Sequence, residues 1–221
     1  MAMKQQLVEQ IWAGKDPFAT FPAKAYPVDI QGWNSHHRFL IESIEELRPS
    51  LVVEIGVWKG GSVITMGNTL KDLGLDSAVI AVDTWLGAWD HWLNPGFFED
   101  LGFESGYPKL FHRFMANIIH VGLTDYVVPL PLDSGNAVEV LKAKSLRPGL
   151  IHLDGAHDYE SVSRDLKVWW AQLAPGGILV ADDYTLDGRW PEVRAAVDEF
   201  FAPLGLTVEH HEAKGRIRKP A

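Results

Sequence analysis

The chain of 221 residues contains no cysteine, which excludes disulfides, thiolate nucleophiles and cysteine-ligated zinc or iron–sulfur clusters. Any metal site must use oxygen or imidazole. No apolar run reaches the roughly 18 residues that a membrane-spanning helix needs, and Met1 to Asp16 lacks the basic flank and apolar stretch of a secretion signal. The expectation is a soluble, cytoplasmic protein. Positive charge is also scarce: 20 Lys and Arg stand against 29 Asp and Glu, a net charge of −9. Duplex nucleic acid and anionic membrane, which both need clustered positive charge, are therefore poor partners, and a small molecule is the expected one. Linkers rich in Pro and Ser, internal repeats and low-complexity segments are absent too. With 47% hydrophobic residues the chain can bury one sizeable core, read as an N-terminal helical or lid segment at 1–49 and a single domain at 50–221.

Short β-type apolar runs alternate with helical patterns. Strands are predicted at Leu51–Gly56, Ala78–Thr84, Tyr126–Leu132, Gly149–Asp154 and Gly177–Ala181. Helical spacing of apolar residues marks Ser62–Leu73, Pro108–Val121, Asn136–Lys144, Ser161–Leu173 and Pro191–Phe201, with Met3–Trp12 and Arg38–Leu47 ahead of the first strand. Leu206–His211 and Arg216–Lys219 suit a closing antiparallel pair. The pattern predicts an α/β fold: a Rossmann-like, doubly wound sheet of about seven mostly parallel strands with an antiparallel C-terminal strand and an N-terminal helical addition. Ligands of such sheets bind at the carboxyl ends of the strands, and here each of the five ends carries an acid.

In Glu54-x-Gly56-x-x-x-Gly60-x-Ser62 an apolar strand runs into spaced glycines and a helix start, where close backbone approach and unpaired first-turn N–H groups suit an anionic ligand. Trp58 stands where a dinucleotide fingerprint needs its middle glycine, and the GKS/T ending of a P-loop is missing. At the second strand end Asp83 can accept both hydroxyls of a ribose, and Asp133-Ser134-Gly135 at the third offers short polar groups for an adenine edge. Each of these residues can equally be a helix cap or turn residue.

The motif E-x-G-x-x-x-G-x-S resembles that of class I S-adenosylmethionine-dependent methyltransferases, and within them the metal-dependent O-methyltransferases of the catechol and macrolide-sugar (macrocin, mycinamicin) types. The resemblance runs from about Leu51 to Tyr184. It implies that Glu54, Gly56 and Ser62, with Gly60 shaping the turn, hold the methionine end of S-adenosylmethionine, that Asp83 holds the ribose, and that Ser134, beside Asp133, lies in the adenine region. Trp85 and Asp154 are counted among the cofactor-facing residues as well.

Asp154 ends the fourth strand, and Asp182 and Asp183 end the fifth; three carboxylates gathered there repel unless a cation neutralises them. An all-oxygen set suits Mg²⁺ or another divalent cation. The resemblance places metal ligands at these positions, with Asp183 standing where catechol-type enzymes have Asn. His157, three residues past Asp154, can reach a hydroxyl bound to that metal and act as general base; Asp154-Gly-Ala-His157 is similar to the D-G-x-H run of the macrolide-sugar enzymes, whereas catechol-type enzymes carry Lys at this offset. His152, inside a strand, is read as a satisfied core group, while His36 and His37 either close over the site or cap a helix.

Nine tryptophans are present, and Trp85, Trp89 and Trp92 share one loop-like stretch. A lid over the active site, packing against the N-terminal segment and a homodimer contact explain them equally. The function expected is Mg²⁺-dependent transfer of a methyl group to a hydroxyl of a natural product, sugar or catechol-like molecule. An NAD-linked oxidoreductase and a non-catalytic S-adenosylmethionine-binding protein are the alternatives.

Overall fold

The computed structural model describes every residue from Met1 to Ala221. Its central sheet is built from β1 (Leu51–Ile55), β2 (Ala78–Val82), β5 (Val127–Leu130), β6 (Leu150–Leu153), β7 (Ile178–Ala181), β8 (Glu209–His211) and β9 (Lys214–Arg218). Strand order is β5-β2-β1-β6-β7-β9-β8, with β9 antiparallel to both of its neighbours and the remaining pairs parallel. A short separate hairpin joins β3 (Phe103–Glu104) to β4 (Tyr107–Pro108).

Every residue of β1, β2, β5, β6 and β7 is buried, as expected for parallel strands covered on both faces. Alternation sends Val53, Ile55, Ile80 and Ile151 to one apolar layer and Val52, Val79, Leu150 and Val180 to the other. The first layer is completed by α1 (Met3–Trp12), α7 (Ser134–Ala143), α8 (Tyr159–Gln172) and α9 (Pro191–Phe201), the second by α2 (Arg38–Leu47), α3 (Gly61–Asp72) and α6 (Leu110–His120). Local chemistry sets several helix starts: Asp158 caps α8 by accepting from Ser161 N at 2.9 Å, and Pro191 opens α9 at its first turn. In the segment at 1–49, Trp12 Nε1 donates to Pro129 O at 3.0 Å, and α2 packs on α3.

The principal difference from the sequence reading lies between Trp85 and Pro108. This stretch, read as loop-like, folds into α4 (Trp89–Leu93), α5 (Pro95–Leu101) and the β3–β4 hairpin, elements too short for apolar periodicity to register. The closing hairpin is also displaced: its second strand begins at Lys214 rather than Arg216, and its first at Glu209 rather than Leu206. That shift places Lys214 beneath the carboxyl end of the sheet.

Candidate functional site

The five parallel strand ends open into one cavity of about 990 Å³. It lies where the winding reverses between β1 and β6, the position at which open α/β sheets bind ligands. Gly56 sits at this crossing with φ +81°, and a Cβ added there would stand 2.0 Å from the carbonyl oxygen of Asp154. Only glycine permits such an approach.

Asp83 organises the turn that follows. Its Oδ2 accepts from Val57 N at 2.8 Å and Trp58 N at 3.0 Å, and its Oδ1 accepts from Trp85 N at 2.7 Å. The two tryptophans so held are both left-handed, at φ 53°, a conformation that costs about 1–2 kcal/mol in a residue with a side chain. The indole of Trp85 consequently turns inward, packs on Phe111 and Phe114 and donates to Trp58 O at 2.9 Å. Trp85 is therefore a core residue and does not line the cavity, contrary to its reading as a cofactor contact or lid.

Two other residues of the motif stand behind the cavity wall. Gly60, at φ +93°, would bring a Cβ within 2.8 Å of the Phe114 ring and so lets α6 pack against the turn. Glu54 is fully buried and accepts from the Ser62 hydroxyl; burial, opposed by that hydrogen bond, pushes its pKa to about 8. Gly56, Ser62, Asp83, Asp133, Ser134 and Asp154 do line the cavity. Asp133 at the same time caps α7 through Asn136 N at 3.0 Å, and the Ser134 hydroxyl donates to Asp165 at 2.7 Å while accepting from Trp169 Nε1 at 2.8 Å.

At the other end of the cavity are Asp154, His157, Asp182 and Asp183. His157 Nε2 lies 2.8 Å from Asp183 Oδ2, and its ring stacks on Trp190 at 4.2 Å and 18°. Burial disfavours the imidazolium, but the hydrogen bond and charge of Asp183 outweigh it and raise the His157 pKa. Asp182 is held from below by the fully buried ammonium of Lys214, whose Nζ also lies 3.0 Å from His152 Nε2. With Lys214 at Nε2, the His152 proton is on Nδ1; that atom is 3.2 Å from Glu54 Oε1 but off the hydrogen-bonding direction. Burial, then the Lys214 charge, keeps the His152 pKa well below its ordinary value.

The Asp154 carboxylate receives no hydrogen bond from the protein. Burial first and the Asp182 charge second hold its pKa well above the ordinary carboxylate range. The ligand atoms of Asp154, Asp182 and Asp183 do not all come within 4.8 Å of one another, as those of Glu54, His152 and Asp154 do. His37 caps α2, its Nδ1 accepting from Phe39 N at 3.1 Å.

A family model described as a methyltransferase domain matches residues 53–184. The chain belongs to the methyltransferase-domain family. Among curated relatives of this methyltransferase-domain chain is the rhamnosyl O-methyltransferase of Mycobacterium tuberculosis (strain ATCC 25618 / H37Rv), 26% identical over 150 residues that make up 67% of this chain and 51% of that protein. Protein R132 of Acanthamoeba polyphaga mimivirus is 27% identical over 162 residues. The matched region spans between 15% and 59% of the length of such relatives. Among solved structures, an O-methyltransferase from Bacillus cereus in complex with SAH superposes with a TM-score of 0.57 at 14% identity, covering 97% of this chain and 96% of that one. Cofactor-bound Rv0187 from MTB superposes with a TM-score of 0.60 at 14% identity, over 96% and 94%. At those identities the likeness is one of fold.

Several cavity residues of the methyltransferase domain were not singled out from sequence. Asp165 is the clearest case: an acid on the buried stripe of α8, between Val162 and Trp169 at helical spacing, is a readable anomaly. Trp190 and Trp33, in irregular segments that meet the cavity only through tertiary folding, left no such signal.

Proposed function

We propose that this chain transfers the methyl group of S-adenosylmethionine to a hydroxyl of a small molecule such as a sugar, natural product or catechol. The observation that carries the reading is that the turn Gly56–Ser62 and the pair His157–Asp183 face one cavity. The family match favours methyl transfer over the NAD-linked and non-catalytic alternatives, and the relatives that carry O-methyltransferase names point the same way. Gly56 and Ser62 bind the methionine end, Asp83 the ribose, and Ser134 with Asp133 the adenine end.

His157 removes the proton. Its Nε2–H donates to Asp183, which leaves Nδ1 as the free acceptor for the substrate hydroxyl, and Asp183 stabilises the imidazolium that forms. Trp190 fixes the plane of the ring. As the oxygen attacks in line, the new O–C bond forms while the C–S bond breaks, leaving S-adenosylhomocysteine.

In favour of a divalent cation, Asp154 is a cavity-lining carboxylate without a protein donor beside two further acids; to share an ion with it, Asp182 and Asp183 must turn toward it from their partners Lys214 and His157. Asp154, Asp182 and Asp183 would hold Mg²⁺ or a similar ion, which when bound lowers the pKa of a hydroxyl and orients it. Asp183 would then be shared with His157. The test is product formation from labelled S-adenosylmethionine with glycosides, catechols and polyketides, in the presence of Mg²⁺ or of EDTA. Turnover unaffected by EDTA would remove the cation from the reading, and no turnover with any hydroxyl class would remove the reading itself.

A further inference from the structure

Lys59 belongs to the glycine turn, yet its side chain points away from the cavity and is only 1% exposed. A buried ammonium is costly unless well paired, and this one has two partners from distant parts of the chain. Nζ lies 2.7 Å from Asp29 Oδ2 and 2.8 Å from Asp100 Oδ1. Asp29 opens the N-terminal strap that carries Trp33 to the cavity; Asp100 lies on α5, the helix that brings Phe97 there. Trp33 packs edge-on to Phe97 at 5.5 Å and tilts against Trp58 at 6.3 Å, so the strap, α5 and the turn form one aromatic wall of the cavity, and His91, against Trp58 at 4.6 Å and Phe97 at 5.2 Å, brings that wall within reach of the His157 charge.

The backbone beneath is tied by the same node. Asn117 Nδ2 donates to both Lys59 O, at 2.9 Å, and Asp29 O, at 2.8 Å, while Asn117 Oδ1 accepts from Asp29 N at 3.0 Å. Arg113 adds a second cation at 2.9 Å from Asp29. Without Lys59 the strap would keep Arg113 and Asn117, whereas Asp100 of α5 would keep Arg113, at 3.8 Å, as its one cation, with Leu101 O still accepting from Lys109 N at 2.8 Å and Phe97 still edge-on to Trp58 at 6.4 Å. The link that runs from the turn itself to α5 is Lys59 alone among these ion pairs.

We propose that Lys59 is a positioning residue that transmits cofactor occupancy of the glycine turn to the two segments covering the acceptor side of the cavity. A ligand that fixes the backbone at Gly56–Ser62 fixes Lys59, and the Lys59 ammonium then holds Asp29 and Asp100 together, assembling the aromatic wall. Binding at the turn thereby prepares the acceptor pocket, with the coupling carried by two charge-assisted hydrogen bonds. The proposal rests on the reading of the turn as an S-adenosylmethionine site, and its test separates the two.

The experiment is hydrogen exchange on the full chain with and without S-adenosylhomocysteine, alongside calorimetric titration of the same ligand. In the wild type the ligand is expected to slow exchange about tenfold both in the strap around Asp29–Trp33 and in α4–α5. Lys59→Met is expected to bind the ligand with near-normal affinity and to lose the slowing in α4–α5, and Lys59→Arg, which can still reach both carboxylates, to restore it. A fold defect alone would not produce a ligand-dependent difference that Arg rescues. Should Lys59→Met fail to fold, Asp100→Asn carries the test: slowing is lost in α4–α5 and kept in the strap. Undiminished slowing of α4–α5 in Lys59→Met or Asp100→Asn, or a wild type that binds the ligand without any slowing there, would overturn the proposal and leave the cofactor reading intact. A wild type that does not bind the ligand at all would overturn both.

Discussion

Replacing Gly56 by alanine tests the geometry of the site most directly. At φ +81° an alanine pays the left-handed penalty of about 1–2 kcal/mol. Its Cβ would in addition lie 2.0 Å from Asp154 O, 2.5 Å from Asp154 C and 2.6 Å from Gly155 Cα, all backbone atoms that no rotamer change can move. Relief requires β1 and β6 to part at their carboxyl ends, and the bonds exposed to that movement are Gly56 N to Val82 O at 2.9 Å and Asp154 N to Ile55 O at 2.8 Å. Two hydrogen bonds at about 1 kcal/mol each bring the total to about 3–4 kcal/mol. For a chain of this size that lowers the melting temperature by about 10 °C. Gly74→Ala is the control, because its φ of +62° imposes the same dihedral penalty while nothing lies within 4 Å of the added Cβ. Thermal unfolding of the two variants isolates the clash, and titration with S-adenosylhomocysteine should show binding lost in Gly56→Ala and kept in Gly74→Ala. Equal melting shifts would refute the close-approach argument.

His157→Ala should lower turnover by about 10²–10⁴-fold while S-adenosylhomocysteine affinity stays nearly constant; equal loss of both would mark the imidazole as structural. Because Asp183 raises the His157 pKa above 6.5, kcat/KM in the wild type should fall as pH drops through a value above 6.5, and Asp183→Asn should move that limb downward. Lys214→Met leaves the buried Asp182 carboxylate without its ammonium and should cost about 3–5 kcal/mol in urea unfolding; a midpoint unchanged from wild type would show that Asp182 does not depend on this cation. Burial first, and the Lys214 charge second, lower the His37 pKa below 6.5 in the folded state. The unfolded chain therefore takes up this proton first, so the His37 contribution is present above pH 6.5 and lost as pH falls below it. His37→Asn, which keeps an α2 cap, should give a flatter fall in urea midpoint over that range than the wild type.

The sheet was readable because its strands are short, β-branched and buried on both faces, and because an acid marks each strand end. Where two functions compete for one residue, sequence carried less. Glu54 matches a cofactor motif, yet its carboxylate is fully buried against the Ser62 hydroxyl and stands behind the cavity wall. Trp85 sits next to a cavity residue in sequence and faces the opposite way in space, since the left-handed turn imposed by Asp83 cannot be read from composition. Lys214 carries no signal when the last strand is read from Arg216: a lysine in a turn is ordinary, whereas one inside a buried strand demands a partner.

Trp58 and Asp183, which both line the cavity, occupy left-handed backbone. A search for thermostable variants would select these positions early, since glycine relieves each dihedral. The stabilised proteins it returned would have surrendered an aromatic wall residue or the carboxylate that orients His157. In this chain the ground most open to stabilisation is the ground that selection for activity has reason to hold.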